Sequence, residues 1–360
     1  MRIGDREIGT GAPVYVIAEI GVNHDGDAAR AVELTRLAAK AGADAVKFQY
    51  FEADRLMSKA AKLAAYQRAA GETDPLEMLR RLELSLDDLA ACAAEAHRLG
   101  VHAIVSVFSV EHVAPTAAIA WDAFKSASPD IVNRPLLEAL ASTGRPLVVS
   151  TGASTLEEVR EGVSWLADAS GRLAVMQCVS SYPTRFEDAE FGGVLALREA
   201  LGLPTGYSDH TPDAGESALA AVAHGACVLE KHMTYDRRAP GPDHRASLEP
   251  EAFGAYCAAA RRRGGDGPSD TIELQPARKR VLVCEEDVRR VSRQSLTTTR
   301  ALRAGHVLTG ADLTVKRPGT GVPARDLRGT IGRSLARDVD ADTPLSPDDL
   351  APVAGPRPGA

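Results

Sequence analysis

Residues 204–232 read PTGYSDHTPDAGESALAAVAHGACVLEKH, and this stretch decides the fold. Two short strand-like runs flank an alanine-rich run, residues 214–224, which is typical of a helix. A strand, a helix and a second strand of this length form a right-handed βαβ unit with parallel strands. The carboxyl ends of the two strands then lie side by side, so His210 and His232 can converge there. Two neutral imidazoles in this arrangement make half of a divalent metal site.

The alternation of strand and helix recurs along most of the chain. The predicted strands cover residues 14–18, 45–48, 101–105, 123–125, 146–149, 173–177, 204–207 and 226–230. A segment of helical character follows each strand, and a long excursion, residues 51–82, comes directly after the second. Eight such units in about 260 residues predict a (β/α)8 barrel rather than an open sheet. The predicted fold class is α/β, a TIM barrel followed by a small β-rich domain.

Changes in composition divide the chain into four predicted segments. They are a barrel domain (residues 1–263), a turn-rich linker (264–291), a small β-rich domain (292–350) and a disordered Pro/Gly/Ala tail (351–360). The basic run at residues 278–280 falls in the linker and is interpreted as a solvated surface.

Composition and charge disfavour several classes of protein. The net charge of −7, without a basic domain, argues against nucleic acid as a partner. Five cysteines, scattered and without CxxC spacing, indicate reduced thiols in a cytoplasm rather than disulfides or a zinc site. No apolar run reaches the roughly 20 residues of a membrane span. We therefore expect a cytoplasmic protein that acts on small molecules.

Polar side chains occur at the end of every predicted strand. They are Glu19, Lys47, Gln49, Ser106, Lys125, Ser128, Ser150, Thr151, Ser180, Tyr182, Ser208, His210, Lys231 and His232. In a (β/α)8 barrel the active site lies at these strand ends, so the side chains should meet there. Lysines and hydroxyls together suit a phosphate and a carboxylate on one small molecule. Gly152 would let the backbone approach a phosphate closely.

These motifs, taken in order, resemble those of the sialic acid synthases, which include N-acetylneuraminate, legionaminate and pseudaminate synthases. The motifs in the barrel are IAEIGVNH (17–24), VKFQ (46–49), FK (124–125), STG (150–152), QCVSSYP (177–183), YSDHT (207–211), LEKH (229–232) and GPDH (241–244). Residues 315–319, VKRPG, resemble the antifreeze-like (SAF) domain of those enzymes. The resemblance covers nearly the whole chain.

The resemblance implies a metal-dependent condensation of phosphoenolpyruvate (PEP) with an N-acyl hexosamine aldehyde, typically N-acetylmannosamine. His210 and His232 would bind Mn²⁺, or Mg²⁺ or Co²⁺ in its place. The residues that would hold PEP are Lys47, Ser106, Lys125, Ser128, Ser150, Ser180 and Ser208. The residues that would hold the sugar are Gln49, Tyr182, Asp243 and Arg317. Glu19 and Asp130 would be the acid/base groups.

The resemblance also implies a domain-swapped homodimer, in which Arg317 of one chain reaches the barrel of the other. One departure from the family pattern is Pro129, which stands where glycine is usual and has no N–H to offer to PEP. A shifted acceptor, such as an unusual antibiotic-pathway sugar, would fit the same motifs.

Two other hypotheses stay open from the residues. A Schiff-base aldolase would use a lysine at a strand end, and Lys47, Lys125 and Lys231 are the candidates. The small domain could instead be a surface-binding module on a barrel without activity. The intact pair of histidines and the lysines at the strand ends argue against that last hypothesis.

Overall fold

A computed structural model describes residues 1–262 and 272–352 of the chain. Residues 264–271 of the predicted linker and residues 353–360 of the predicted tail lie outside the described residues. A short hairpin, β1 (Arg2–Ile3) and β2 (Arg6–Glu7), precedes the barrel. The barrel strands are β3 (Tyr15–Gly21), β4 (Ala45–Tyr50), β5 (His102–Val107), β6 (Ala123–Ser126), β7 (Leu147–Ser150), β8 (Leu173–Cys178), β9 (Thr205–Asp209) and β10 (Val228–His232). They are parallel and close a barrel in sequence order, with β10 pairing β3. The predicted TIM barrel is confirmed.

One helix follows each barrel strand, apart from the excursion after β4. The eight outer helices are α1 (Ala28–Lys40), α5 (Leu86–Arg98), α6 (Val110–Ala117), α7 (Arg134–Ser142), α8 (Leu156–Ser164), α9 (Gly192–Leu201), α10 (Glu216–Ala223) and α11 (Pro250–Ala260). The excursion contains α2 (Ala53–Leu56), α3 (Ala65–Ala69) and α4 (Pro75–Arg80). No helix within residues 1–262 or 272–352 is long and apolar enough to cross a membrane.

Two predicted helix starts are confirmed by their capping bonds. Ser85 Oγ accepts a hydrogen bond from the backbone N–H of Asp88 at the start of α5. Thr155 Oγ accepts one from Glu158 at the start of α8, and the Glu158 side chain accepts from the Thr155 N–H in return. Each reciprocal pair satisfies N–H groups that have no partner within the helix.

Every barrel strand runs one to three residues beyond its predicted end. The polar residues at the predicted strand ends therefore lie within the strands or up to four residues after them. Apart from Thr151 and Lys231, they line the mouth of the barrel, above a lower layer that is apolar. That lower layer contains Tyr15, Ile17, Ala45, Ile104, Ala123, Val148, Met176 and Val228. The barrel interior thus changes from apolar to polar towards the carboxyl ends of the strands.

The C-terminal domain is a small β-rich unit that packs over the mouth of the barrel. A helix, α12 (Glu286–Ser292), leads into two antiparallel strands, β11 (Ser295–Thr298) and β12 (Leu313–Lys316), and a short helix, α13 (Leu327–Thr330), follows. The domain has a separate apolar core. The backbone around Arg317 is hydrogen-bonded to the excursion, through Leu56 and Ser58.

Candidate active site

One cavity lies at the carboxyl ends of the barrel strands and has a volume of about 960 Å³ including its open mouth. A (β/α)8 barrel carries its active site in this place. The predicted site residues that line it are Glu19, Lys47, Gln49, Ser106, Lys125, Ser128, Ser150, Ser180, Tyr182, Ser208, His210, His232, Asp243 and Arg317. Asp130 follows the lining residues Ser128 and Pro129 and is fully buried. The fold therefore brings together side chains that are far apart in the sequence.

Lys47 lies between two carboxylates. Its Nζ is 2.6 Å from Glu19 Oε2, 3.9 Å from Glu230 Oε2 and 3.1 Å from Ser106 Oγ. Gln49 Nε2 donates to the other oxygen of Glu19 at 2.7 Å. Burial opposes the charge on Lys47, but Glu19 and Glu230 outweigh it and raise the pKa of Lys47. The lysine is therefore a fixed cation inside the cavity.

Glu230 is a cavity residue that the sequence analysis did not select. Its Oε1 accepts from Ser208 Oγ at 2.8 Å and lies 3.3 Å from Lys125 Nζ, which also donates to Ser150 Oγ at 2.7 Å. Burial opposes the ionisation of Glu230, but the two neighbouring lysines outweigh it, Lys125 most, and lower its pKa to about 2. Side chains alternate between the two faces of a strand, so Glu230 lies on the same face as His232. This alternation could have identified Glu230 from the sequence.

The prediction that Lys231 faces the mouth of the barrel is wrong. Its Nζ is 3.0 Å from Asp209 Oδ2 and 5.3 Å from the ring centroid of Tyr256, and the side chain is fully buried. Lys231 and Asp209 alternate with inward-facing residues, so they point towards the helix layer. Lys47 and Lys125 are thus the lysines that line the cavity among the described residues.

His210 and His232 meet as predicted, with their ring centroids 5.5 Å apart. His210 Nδ1 lies 2.7 Å from the carbonyl oxygen of Val179 and donates to it, which leaves Nε2 with its lone pair free. Burial, and then the neighbouring His210, hold the pKa of His232 well below its ordinary value, so that imidazole is neutral. Its Nδ1 is buried without a hydrogen-bond partner and lies 3.8 Å from Asp243 Oδ2.

This donor set fits a divalent ion that takes the rest of its ligands from water or substrate. Across residues 1–262 and 272–352, no three His, Cys, Asp or Glu side chains form a group that could hold a metal ion. The two imidazoles are therefore the protein ligands available at the cavity. An orphaned ring nitrogen on His232 is the observation that favours such a site.

Gly152 lies in close contact with side chains of two neighbouring loops, and its approach to a phosphate stays a prediction. A Cβ atom on Gly152 would lie 2.3 Å from Ser180 Oγ, 2.8 Å from Ser128 Oγ and 3.0 Å from Cys178 Sγ. The N–H of Gly152 donates to Ser128 Oγ at 3.0 Å. Two hydroxyls and a bare backbone thus converge on one point, here called the glycine cradle (Ser128, Gly152 and Ser180). Such a cradle suits the oxygens of a phosphate.

The linker holds the glycine cradle in place through Glu285, which the sequence analysis missed. Glu285 Oε1 accepts from the backbone N–H groups of Ala153 at 2.6 Å and Ser180 at 2.8 Å. Its Oε2 accepts from the N–H of Leu282 at 2.9 Å, and the side chain is 1% exposed. A carboxylate that satisfies three N–H groups fixes the two loops of the cradle against each other.

Lys279 departs from the prediction that residues 278–280 form a solvated surface. Its Nζ is buried and has no hydrogen-bond partner among the described residues. Burial lowers the pKa of Lys279, opposed first by Glu285 and then by Cys178. The neighbouring Arg280 behaves as predicted, because it is exposed and pairs with Glu190. A buried amino group without a hydrogen-bond partner is costly, and the charged group that acts on it most strongly is Glu285, which holds the glycine cradle.

Asp130 has both carboxylate oxygens buried without a hydrogen-bond partner. Burial raises its pKa to about 7, although Arg317 opposes the shift. It follows Ser128 and Pro129 in a turn of 3-10 helix, Ser128–Val132, whose first turn accommodates the proline. The group therefore changes its charge near neutral pH, as an acid/base residue requires.

Aromatic rings and Arg317 close the cavity from above. The ring of Tyr182 packs against that of His210, with the centroids 4.0 Å apart and the planes tilted by 34°. The ring centroid of Tyr66 in α3 lies 4.9 Å from that of Tyr182. The Arg317 guanidinium lies 5.8 Å from the ring centroid of Phe108, and its Nε is buried without a partner. In this single chain Arg317 reaches the barrel of its own chain, and its exchange between two subunits stays a prediction.

The loop that carries Asp243 is tied to the loop after β3. His244 Nε2 lies 2.9 Å from Asp25 Oδ1, and His244 Nδ1 lies 2.7 Å from Thr234 Oγ1. Tyr235 donates to the other oxygen of Asp25 at 2.7 Å. These bonds fix Asp243 at the rim of the cavity, 3.8 Å from His232.

Comparisons with known proteins agree with this geometry. The model of the NeuB family matches residues 34–263, and that of the SAF domain matches residues 293–351. N,N'-diacetyllegionaminic acid synthase of Legionella pneumophila is 35% identical over 95% of this chain and 96% of the relative. N-acetylneuraminate-9-phosphate synthase of Homo sapiens is 31% identical over 94% of this chain and 92% of the relative.

A solved structure supports the same arrangement of both domains. The crystal structure of the spore coat polysaccharide biosynthesis protein SpsE from Bacillus subtilis matches with a TM-score of 0.83 at 27% identity. The match covers 98% of this chain and 99% of that protein. The chain therefore belongs to the NeuB family, the sialic acid synthases, and is an enzyme built from a TIM barrel and a SAF domain.

Proposed function

We propose that this enzyme condenses PEP with the aldehyde of an N-acyl amino sugar, N-acetylmannosamine or a relative of it, in a metal-dependent reaction. The products are a nine-carbon 2-keto acid sugar and inorganic phosphate. The observation that carries the proposal is a single cavity with two buried lysines, a glycine cradle and two imidazoles. The names of its relatives, which are synthases of acidic amino sugars, favour such an acceptor.

The anionic groups of PEP match the charges at the strand ends. The glycine cradle and the unpaired Lys279 would receive the phosphate, whose oxygens could supply the partner that this ammonium group lacks. Lys47 and Lys125 would receive the carboxylate, together with the hydroxyls of Ser106 and Ser208. With PEP bound in this way, the side of the cavity that contains His210 and His232 remains for the aldehyde.

His210 and His232 would hold the metal ion, and Asp243 next to His232 would orient the sugar. A divalent ion bound there supplies Lewis acidity that polarises the aldehyde. Tyr182, which contacts His210, would pack against the sugar, and Gln49 and Arg317 would hydrogen-bond its polar groups.

The carboxyl groups of Glu19, Asp130 and Glu230 would assist the remaining steps of the reaction. A carbon–carbon bond forms when C3 of PEP attacks the aldehyde carbon, which leaves positive charge on C2. The aldehyde oxygen becomes a hydroxyl group by taking a proton from whichever of Glu19 and Asp130 is protonated. Glu230 stays ionised and would stabilise that charge from between the two lysines. Water then adds to C2 and gives a proton to Glu19 or Asp130. The bond between C2 and the bridging oxygen breaks, and phosphate leaves with that oxygen.

A phosphate-release screen tests the proposal. Purified enzyme with PEP and Mn²⁺ is offered N-acetylmannosamine and its 2,4-diacetamido relatives, and phosphate is measured. We expect release that depends on one of these aldehydes, stops with EDTA and returns with Mn²⁺. PEP with ¹⁸O in its bridging position should give labelled phosphate, because the C–O bond breaks. Label left on the keto acid would contradict this route.

The metal assignment has its own control. His232→Ala should abolish turnover while the circular dichroism spectrum stays unchanged, because one of two protein ligands is lost. Retained activity in this variant would remove the proposed metal site. Borohydride trapping of a covalent adduct on Lys47 or Lys125 would instead favour the Schiff-base aldolase.

We infer the quaternary structure and location from the family alone. The enzyme is proposed to act in the cytoplasm as a homodimer whose C-terminal domains are exchanged between subunits. The surface between the barrel mouth and the C-terminal domain would be the same in that dimer as in this chain. Arg317 would then close the partner's cavity instead of its own.

A further inference from the structure

Residues 272–285, here called the strap, run from the outer side of the barrel to the glycine cradle. Residues 272–282 belong to no helix or strand, so contacts with the barrel determine where they lie. At the end of the strap, Glu285 accepts hydrogen bonds from the backbone N–H groups of Ala153 and Ser180. These two groups lie beside and within the glycine cradle. The position of the strap therefore affects the site where PEP is proposed to bind.

His224 binds the beginning of the strap, outside the cavity at the barrel mouth. It directly follows α10 and is buried. Its Nδ1 lies 2.7 Å from the carbonyl oxygen of Ala220 and donates to it, which leaves Nε2 as an acceptor. The backbone N–H of Gln275 donates to this Nε2 at 2.8 Å. A hydrocarbon side chain in place of His224 would leave that N–H without its acceptor.

A second contact holds the same part of the strap against α9. The side-chain oxygen of Gln275 accepts from the N–H of Gly192, the first residue of α9, at 3.1 Å. That N–H has no acceptor within the helix. A Cβ atom on Gly192 would clash with the carbonyl oxygen of Pro276, so a larger residue there would push the strap away from α9. Gly192 is therefore required for the strap to pass this closely.

The middle of the strap contributes less to its position. Residues 276–278 are exposed, and the ion pair of Arg280 with Glu190 is formed by an exposed arginine, so water screens it. Ordering a segment without regular structure costs conformational entropy at every residue. The hydrogen bonds of Gln275 at one end and of Glu285 at the other must offset much of that cost.

We propose that His224 is a positioning residue for PEP, on which it acts through the strap rather than by contact. This inference rests on the proposed function, because it requires PEP to bind at the glycine cradle. Without the bond from Gln275 to His224, the strap would leave its place for more of the time, and so would Lys279, which it carries. PEP would then have to restore the arrangement on binding, which weakens its affinity.

The coupling between PEP and the strap has to work in both directions. A ligand that binds better when the strap is in place must stabilise the strap by the same free energy. Two backbone N–H groups report on the strap: that of Gln275, bonded to His224, and that of Leu282, bonded to Glu285 Oε2 at 2.9 Å. PEP should slow the hydrogen exchange of both groups.

Two substitutions of His224 test the inference in the whole enzyme. His224→Leu removes the acceptor, and we expect KM for PEP to rise roughly 3- to 10-fold, the effect of one hydrogen bond. KM for the sugar should not change, and the N–H of Gln275 should exchange faster. His224→Gln places an amide oxygen near the former Nε2 and should restore both values.

Kinetics with PEP, Mn²⁺ and the best acceptor from the phosphate-release screen measure these effects. If His224→Leu left KM for PEP unchanged, or raised KM for the sugar equally, His224 would have no positioning role for PEP. An increase that persisted in His224→Gln would assign the effect to side-chain shape and would also overturn the inference.

Gly192→Ala displaces the strap without removing a hydrogen-bonding group. Alanine favours a helix more than glycine does, so α9 should be kept. We expect a higher KM for PEP and faster exchange of Gln275, because the new Cβ atom would meet Pro276. Gly171→Ala is the control, since a Cβ atom there meets nothing within 4 Å. Equal KM values for PEP in the two variants would contradict the inference.

Hydrogen exchange separates this inference from the proposed function, because it needs no turnover. The wild-type enzyme is measured with PEP and Mn²⁺ and without sugar. If PEP slowed exchange in the strap but no acceptor gave phosphate, the proposed function would fail and the coupling would stand. If phosphate were released but PEP left the exchange of the strap unchanged, the inference would fail and the proposed function would stand.

Discussion

At Asp130, burial raises the pKa of the carboxyl group to about 7, so that its charge changes across the physiological range. As the base that takes a proton from water it must be ionised, and the ionised fraction rises with pH. We therefore expect kcat/KM to increase with pH up to about 7 and to level off above it. The measurement is a pH profile of phosphate release for the wild-type enzyme and for Asp130→Asn.

Asp130→Asn should lose this inflection and lower kcat by roughly 100- to 10,000-fold. The fold should be kept, since the amide has the same shape as the carboxyl group and buries no charge. If kcat/KM instead decreased as the pH rose through 7, Asp130 would be the general acid, which acts in its protonated form. A profile unchanged in the variant would assign the acid/base role to Glu19.

Lys279 and Arg280 are neighbouring cations with opposite surroundings, which makes them a matched pair. Lys279→Met removes the buried unpaired ammonium group, and we expect KM for PEP to rise roughly 10- to 100-fold, as for a lost charged hydrogen bond. Arg280→Met removes an exposed cation paired with Glu190 and should leave KM for PEP unchanged. Equal effects of the two substitutions on KM for PEP would mean that Lys279 has no specific role in binding PEP.

At the scale of the element, the segment before the C-terminal domain supports the cavity. Glu285→Ala removes the acceptor for the buried N–H groups of Ala153 and Ser180, at a cost of about 1–3 kcal/mol of stability for each. Because those loops form the glycine cradle, KM for PEP should rise while KM for the sugar changes little. Steady-state kinetics with both substrates, together with thermal melting, measure the two effects.

Glu286→Ala is the control for this prediction. Glu286 is adjacent and exposed, so its loss should change neither KM nor the melting temperature. If Glu285→Ala raised KM for the sugar as much as KM for PEP, the segment would support the whole mouth rather than the glycine cradle.

The elements themselves were largely predictable from the sequence, and their ends were not. The alternation of apolar runs and helical segments predicted all eight βα units, because each element buries one face against its neighbours. The strand ends were placed too early, since polar residues such as Ser106 and Ser208 are usual outside strands. Here they lie within strands, because the polar upper layer of the barrel satisfies them.

At the scale of the whole molecule, the position of Arg317 depends on which barrel the C-terminal domain covers. A chain with His232→Ala lacks the proposed metal site. A chain with Arg317→Ala lacks the side chain that closes the cavity. If the C-terminal domains are exchanged between subunits, a mixed dimer of these two variants contains one barrel in which His232 is intact. The C-terminal domain that covers this barrel comes from the other chain and carries an intact Arg317. We therefore expect mixtures refolded together, or chains expressed together, to be far more active than either variant alone.

Size-exclusion chromatography and phosphate release on the mixture make this measurement. Two wild-type preparations treated identically control for losses on refolding. If the mixture were no more active than its components, Arg317 of each chain would close the barrel of its own chain, as in the structure.

The sequence by itself determined the barrel, the small second domain and most of the side chains that line the cavity. This was possible because strand order in a parallel barrel follows chain order, so residues at successive strand ends must meet. Only the tertiary structure showed that the Glu230 carboxylate lies between two lysines, that Glu285 fixes the glycine cradle and that the Nζ of Lys279 is buried. Those facts depend on contacts between segments that are distant in the sequence. Such contacts determine how deeply each group is buried and which charges lie next to it, and these two factors, rather than the residue type alone, determine its pKa.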